Sequence, residues 1–259
     1  MLVEEQQWYL EYKIHKNRPG LLGDISSILG MMSVLIITIN GVDVRKRGMI
    51  LQTNDENKII LLKNALSYID NITITAFRPI TVLDRLAVRH GRYIDRDLSD
   101  KKTFRFTRDE LGLLVDFLGE IFKHEGHQLI GIKGMPRVGK TESLIAGSVS
   151  ANKRWIFISS TLLRQTIRNN LTDDEFNINN VFIIDGIVSS LRANEAHKSL
   201  VSEIIRLPAT KVIEHPDIFV RETEYEFADF DYIIELRNEA EDEINYELIN
   251  TSFSSFDIS

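Results

Sequence analysis

The chain has 259 residues, 43% hydrophobic and 27% charged, enough apolar material for one large or two modest cores. A formal net charge of −7, with pI ≈ 5.5, argues against a globally basic binder of nucleic acid or membrane surfaces. The absence of cysteine excludes disulfides, cysteine-ligated zinc, Fe–S clusters and cysteine nucleophiles.

The longest apolar stretch, Met31 to Ile39, is broken by Ser33 and Thr38 and is too short to span a bilayer. The opening Met-Leu-Val-Glu-Glu-Gln-Gln lacks the basic flank of a signal peptide. A soluble, cytoplasmic protein without membrane contact is expected.

Trp8, Leu10, Tyr12 and Ile14 alternate with more polar residues and predict a strand. Asn17-Arg18-Pro19-Gly20 reads as a turn. Leu21, Leu22, Ile25, Ile28, Leu29 and Met32 recur at helical spacing, with Asp24 in the first turn. Val34 to Val42 is β-branched and strand-like, and Arg45-Lys46-Arg47-Gly48 reads as the turn into a strand from Met49 to Thr53. Asn54 or Asp55 can cap a helix carrying Ile59, Ile60, Leu62 and Leu66, after which Ile72, Ile74 and Ala76 alternate again. The order β-α-β-β-α-β predicts a ferredoxin-like domain over 1–79.

These residues resemble an ACT domain, on the strength of "NRPGLLGDISSILG" followed by the hydrophobic strand into "INGVD". The resemblance implies a ligand-sensing and dimerisation module that takes an amino acid or similar metabolite at its first strand–helix loop. Carried over, the ligand positions are Asn17, Arg18, Pro19, Gly20, Leu21 and Leu22, with Asn40 and Gly41 from the nearby strand. Val34 to Ile39 is apolar on both faces, and helices would cover only one, so a homodimer through this sheet is expected.

Residues 80–126 read as a basic connector and an amphipathic helix. Arg85, Arg89, Arg92, Arg96, Lys101, Lys102, Arg105 and Arg108 face only Asp95, Asp97 and Asp100. They could meet a nucleic-acid backbone, with Tyr93, Phe104 and Phe106 as stacking surfaces, or be a solvated connector paired with the acidic remainder. Thr107 to Glu110 has the capping-box signature before the apolar stripe Leu111, Leu114, Val115, Leu118, Ile121 and Phe122. His124 and His127 have no evident third metal ligand.

From 127 to 237 short apolar runs alternate with helices. Leu129 to Ile132, Trp155 to Ile158, Val181 to Ile184, Lys211 to Ile213 and Tyr232 to Leu236 predict a parallel sheet flanked by helices. Residues 238–259 form an acidic tail, expected to be mobile.

Gly134-Met135-Pro136-Arg137-Val138-Gly139-Lys140-Thr141 fits G-x-x-x-x-G-K-[ST], between a predicted strand and a predicted helix. The glycines permit a wrapped backbone whose amides point at phosphate oxygens. Lys140 would reach the β- and γ-phosphates, and the Thr141 hydroxyl would ligate magnesium. Val181-Phe182-Ile183-Ile184-Asp185 resembles a Walker B strand, delivering the Asp185 carboxylate towards magnesium. Gly186 follows where many additional-strand ATPases carry their catalytic glutamate. Glu214 and Asp173-Asp174-Glu175 are alternative polarising residues, and Arg206, Arg221 and Arg237 candidate phosphate sensors.

With "GMPRVGKTES", "FIIDG", "DRLAVRHGRYI" and the stretch Arg108 to Phe117, nearly the whole chain resembles the YmfK-like family of Bacillus-type bacteria. That resemblance implies an ACT-like domain followed by a P-loop NTPase-like domain. The expected function is binding of ATP or GTP with magnesium, as an NTPase or switch regulated by a small metabolite such as an amino acid. The alternatives are a P-loop kinase or phosphotransferase, or a non-enzymatic sensor contacting nucleic acid through the basic connector.

Overall fold

The structure, a computed structural model, describes residues 6–161 and 166–242. The chain divides into two compact units, Met1–Ile94 and Asp95–Ser259.

The first unit runs β1 (Gln7–Ile14), α1 (Leu21–Met31), β2 (Leu35–Asp43), β3 (Lys46–Gln52), α2 (Glu56–Ser67), β4 (Ile72–Pro79) and α3 (Val82–His90). Its four strands form an antiparallel sheet in the order β2-β3-β1-β4. Leu10, Tyr12, Met49 and Leu51 face a core shared with Leu21, Ile25 and Leu29 of α1 and Ile59 and Leu62 of α2. The β2–β3 turn is tighter than expected, since Lys46 to Gly48 already pair as strand.

The second sheet face is not left to a partner alone. Tyr9, Val42 and Ile50 pack there with Ala87 and Val88 of α3. This corrects the expectation that helices cover one face only. β2 lies at the sheet edge, with Leu35 and Ile37 exposed.

The second unit runs β5 (Asp95–Arg96), β6 (Thr103–Thr107), α4 (Leu111–Phe122), β7 (Gln128–Gly134), α5 (Lys140–Ser150) and β8 (Trp155–Phe157). There follow β9 (Ser159–Ser160), β10 (Thr166–Ile167), β11 (Val181–Asp185), α6 (Glu195–Arg206), β12 (Thr210–Glu214), α7 (Pro216–Glu222) and β13 (Tyr232–Arg237). The large sheet has the order β5-β6-β13-β7-β12-β11-β8, parallel throughout except for β5. The expected connector is therefore divided: α3 belongs to the first unit, and β5, β6 and α4 to the second.

Both sheet faces are covered, which is why its strands read as continuous apolar runs. On one side Phe104, Phe106 and Phe117 of α4 pack as an aromatic group, and α4 lies close enough to α5 that a methyl group at Gly147 would meet the Leu118 Cβ. On the other, Phe182, Ile184, Ile213 and Ile233 meet Leu200 and Ile204 of α6 and Phe219 of α7. Among the described residues, no helix is long and apolar enough to cross a membrane.

Candidate functional site

The carboxyl ends of parallel strands are where an open α/β sheet collects a ligand. Here β7 ends at Gly134, and the chain wraps through 135–139 into α5. Arg137 (φ 63°) and Gly139 (φ 108°) adopt left-handed backbone within that wrap. Alternating hands of this kind turn successive amides to one side, a concavity that suits anions. Gly139 is the N-cap of α5 and supplies no side-chain acceptor, so α5 opens without a side-chain cap on its first amides.

Lys140 folds back over the loop. Its Nζ donates to the Gly134 carbonyl at 2.7 Å and the Met135 carbonyl at 3.0 Å. Burial holds the Lys140 ammonium below its ordinary pKa, while the charges of Glu214 and Asp185 pull the other way.

β12 stands between β7 and β11, so Glu214 is in register with Ile132 on one side and Asp185 on the other. The Thr141 hydroxyl donates to Glu214 Oε1 at 2.7 Å. Burial first, and then the Asp185 charge, push the Glu214 carboxyl up to about 7, against the Thr141 hydrogen bond and Lys140.

Asp185 is engaged differently. Its Oδ1 accepts from the Ile187 and Val188 amides, and its Oδ2 from the amide and hydroxyl of Thr161. Ser159 Oγ accepts from the Asp185 amide and contacts Ser189 Oγ, which reaches His197 Nε2. Ser159 and Thr161 thus brace Asp185, and a π-helical turn, Val188–Arg192, follows it. A Cβ at Gly186 would lie 2.7 Å from the Glu214 carbonyl and 2.8 Å from that of His215. A side chain there would force the backbone of these strand ends to shift, which disfavours a glutamate after Asp185.

His215 follows β12 in left-handed backbone (φ 57°) as the N-cap of α7 and is 4% exposed, and its Nδ1 has no hydrogen-bond partner. Burial, reinforced by Lys140, depresses its pKa to about 3, so the ring is neutral. Among the described residues, five buried side-chain polar atoms lack a partner. Four lie at or beyond the carboxyl ends of β11, β12 and β13: Ser190 Oγ, His215 Nδ1, Asp217 Oδ2 and Arg237 Nε. Such atoms cost roughly 1–3 kcal/mol each when left unpartnered.

The other candidates separate. Glu175 is held bidentately by Arg168 and kept down at about 2, and Asp174 pairs with Arg154. Arg206 ends α6, and Arg221 pairs with its neighbour Glu222, whereas Arg237 ends β13 beside β7. No group of three or more His, Asp or Glu able to hold a metal occurs among the described residues. The Thr141 hydroxyl, expected to ligate magnesium, is engaged with Glu214.

In the first unit a cavity of about 230 Å³ is lined by Asn17, Arg18, Gly20, Leu21 and Leu22, together with Tyr12 and Arg47. Pro19, Asn40 and Gly41 are not in its lining. Asn40 instead donates to the Val88 carbonyl and accepts from the Gly41 amide.

Phe104 and Phe106 are buried and cannot be stacking surfaces, which corrects that expectation. Arg105 pairs with Asp97 and Glu235, and Lys102 donates to the Ala228 and Phe230 carbonyls. His127 contacts the Ile205 carbonyl. Most of the acidic tail, from 243 on, lies outside the described residues.

His215 was missed in the sequence, although Glu-His-Pro at the end of an apolar strand was a visible signal of this buried ring.

Comparison with known proteins adds kinship. Residues 74–257 match the model of a family described as proteins of unknown function (DUF3388). The chain is 61% identical over 258 residues to the uncharacterized protein YmfK of Bacillus subtilis, covering 97% of this chain and 96% of that one. Among solved structures, phospho-2-dehydro-3-deoxyheptonate aldolase of Thermotoga maritima matches over 98% of this chain and 97% of that one. Its 11% identity and TM-score of 0.22 carry no argument about fold or function. The chain belongs to the YmfK-like family of proteins of unknown function, DUF3388.

Proposed function

We propose that residues 127–237 form a P-loop NTPase-like domain that binds ATP or GTP with magnesium, as an NTPase or nucleotide switch. The first domain would be an ACT-like module whose cavity takes a small metabolite, such as an amino acid, and tunes the nucleotide site. The observation that carries the reading is the wrap between β7 and α5. There, left-handed turns, a helix start without a side-chain cap and Lys140 converge on one spot, and Thr141 faces a buried carboxylate. The order β13-β7-β12-β11-β8, with a strand inserted between the loop strand and the Asp185 strand, resembles additional-strand P-loop ATPases.

In this reading Lys140 exchanges its two loop carbonyls for phosphate oxygens, and the loop amides hold the phosphate tail. Magnesium, when bound, would neutralise phosphate charge beside the Thr141 hydroxyl. Asp185, with both oxygens already engaged, fixes the β11 turn and adds negative charge nearby.

A thermal-shift screen crossing magnesium nucleotides with amino acids tests both sites, because a ligand of the folded form raises its melting point by mass action. ATP or GTP should raise it, and Lys140→Ala should weaken nucleotide affinity at least tenfold, since a charge-assisted hydrogen bond is worth about 1.5–3 kcal/mol. Equal affinity in a folded Lys140→Ala protein would refute the assignment.

A further inference from the structure

The geometry points to Glu214 as the catalytic base of nucleotide hydrolysis, with the His215 imidazole holding the attacking water. This inference rests on the P-loop reading above and deepens it. β12 lies between β7 and β11, so Glu214 at its carboxyl end, and His215 just after it, stand between the loop bearing Lys140 and Thr141 and the strand bearing Asp185.

The competing carboxylates are occupied. Both Asp185 oxygens accept two hydrogen bonds each, Glu175 is locked to Arg168, Asp217 pairs through Oδ1 with Lys133, and Glu142 is exposed on α5. Position 186, where a base would follow Asp185, is a glycine, and a side chain there would press on the Glu214 and His215 carbonyls. Glu214 is the carboxylate that remains, buried and bonded to the loop threonine through one oxygen.

Independently, the neighbouring His215 is buried in a strained backbone with an unpartnered ring nitrogen. Neutral imidazole can accept from or donate to a water, and left-handed backbone at a non-glycine residue costs about 1–3 kcal/mol that function can justify.

The step balances without any further reactant. The water oxygen forms a bond to the γ-phosphorus, and the bond from that phosphorus to the β,γ-bridging oxygen breaks. Its electron pair leaves on the nucleoside diphosphate, and the proton of the water passes to the Glu214 carboxylate. Lys140 lies close enough to balance the accumulating charge.

Phosphate release and nucleotide affinity, measured together on the full chain, test this. Affinity is read with a non-hydrolysable ATP or GTP analogue and magnesium, and folding by melting temperature. Glu214→Gln keeps an acceptor for Thr141, so affinity should stay within about threefold while phosphate release falls about 100-fold or more. His215→Asn should slow release about tenfold at unchanged affinity.

Three results would overturn the assignment: a wild-type protein that binds nucleotide without turning it over, Glu214→Gln turning over at the wild-type rate, or Glu214→Gln losing affinity in step with turnover. A wild-type protein that binds no nucleotide overturns the P-loop reading itself, and this inference with it.

Discussion

Gly186 and Glu214 are coupled through space. The absent side chain at one lets the backbone of the other approach, and the Gly186→Ala Cβ would stand 2.7 Å from the Glu214 carbonyl and 2.8 Å from that of His215. Neither neighbour is a flexible side-chain end, so the backbone must move. The expected cost is about 1–3 kcal/mol, measured as a lower denaturation midpoint, and an unchanged midpoint would show that the strand ends can part freely. Titration adds a second residue-scale prediction. Glu214 is raised from an unfolded value near 4.5 to about 7, so the folded protein holds its proton more tightly than the unfolded chain does. Its contribution to stability is full below about 4.5 and is lost as pH rises through 7. His215 has the opposite sign: its depressed value, about 3, gives stability present above 6.5 and lost as pH falls towards 3. Without nucleotide, Glu214→Gln should therefore melt higher than the parent at pH 8 and no higher at pH 4.5. A constant difference across that range would mean that the carboxyl does not titrate in the fold.

At the scale of elements, α3 is fastened at its start more firmly than its length suggests. Thr81 and Asp84 form a reciprocal capping box, and Arg78 grips Asp84 through two hydrogen bonds of 2.6 and 2.8 Å. Asp84→Ala removes the cap partner and the bidentate pair together, and should destabilise the first unit by about 2 kcal/mol; Thr81→Ala should cost about 1 kcal/mol. Equal and negligible losses, read from chemical denaturation, would mean that α3 contributes nothing to that core. The sequence made five of the seven strands of the large sheet legible, β7, β8, β11, β12 and β13, because strands covered on both faces carry unbroken apolar runs. It hid β6, where Phe104 and Phe106 alternate with Arg105 inside a basic stretch. That period of two is a half-buried strand pattern, but the charges made it look like a nucleic-acid surface. The glycine–lysine loop was legible as a local motif. Which carboxylate meets Thr141 was not, since it depends on β12 lying between β7 and β11, a pairing between residues far apart in the chain.

At the scale of the molecule, each unit has its own core, and each carries one of the two tryptophans. Trp8 is nearly buried among the residues against α1 and α2, and Trp155 opens β8 of the large sheet at 37% exposure. This gives each unit its own fluorescent reporter. Trp8→Phe leaves Trp155 to report the second unit, at little cost in polar contacts because Trp8 Nε1 has no hydrogen-bond partner. Trp155→Phe leaves Trp8 to report the first. Separate cores predict that the two reporters follow different denaturation midpoints. Magnesium nucleotide at 100 times its dissociation constant should then stabilise the Trp155-reported transition by about 2.7 kcal/mol. The Trp8-reported transition should stay in place or move by no more than a coupling of about 1–3 kcal/mol, the amount that a metabolite in the first unit could use to tune the nucleotide site. Coincident midpoints that move together by the full amount would instead make the chain one cooperative unit, and regulation between two domains would lose its physical basis.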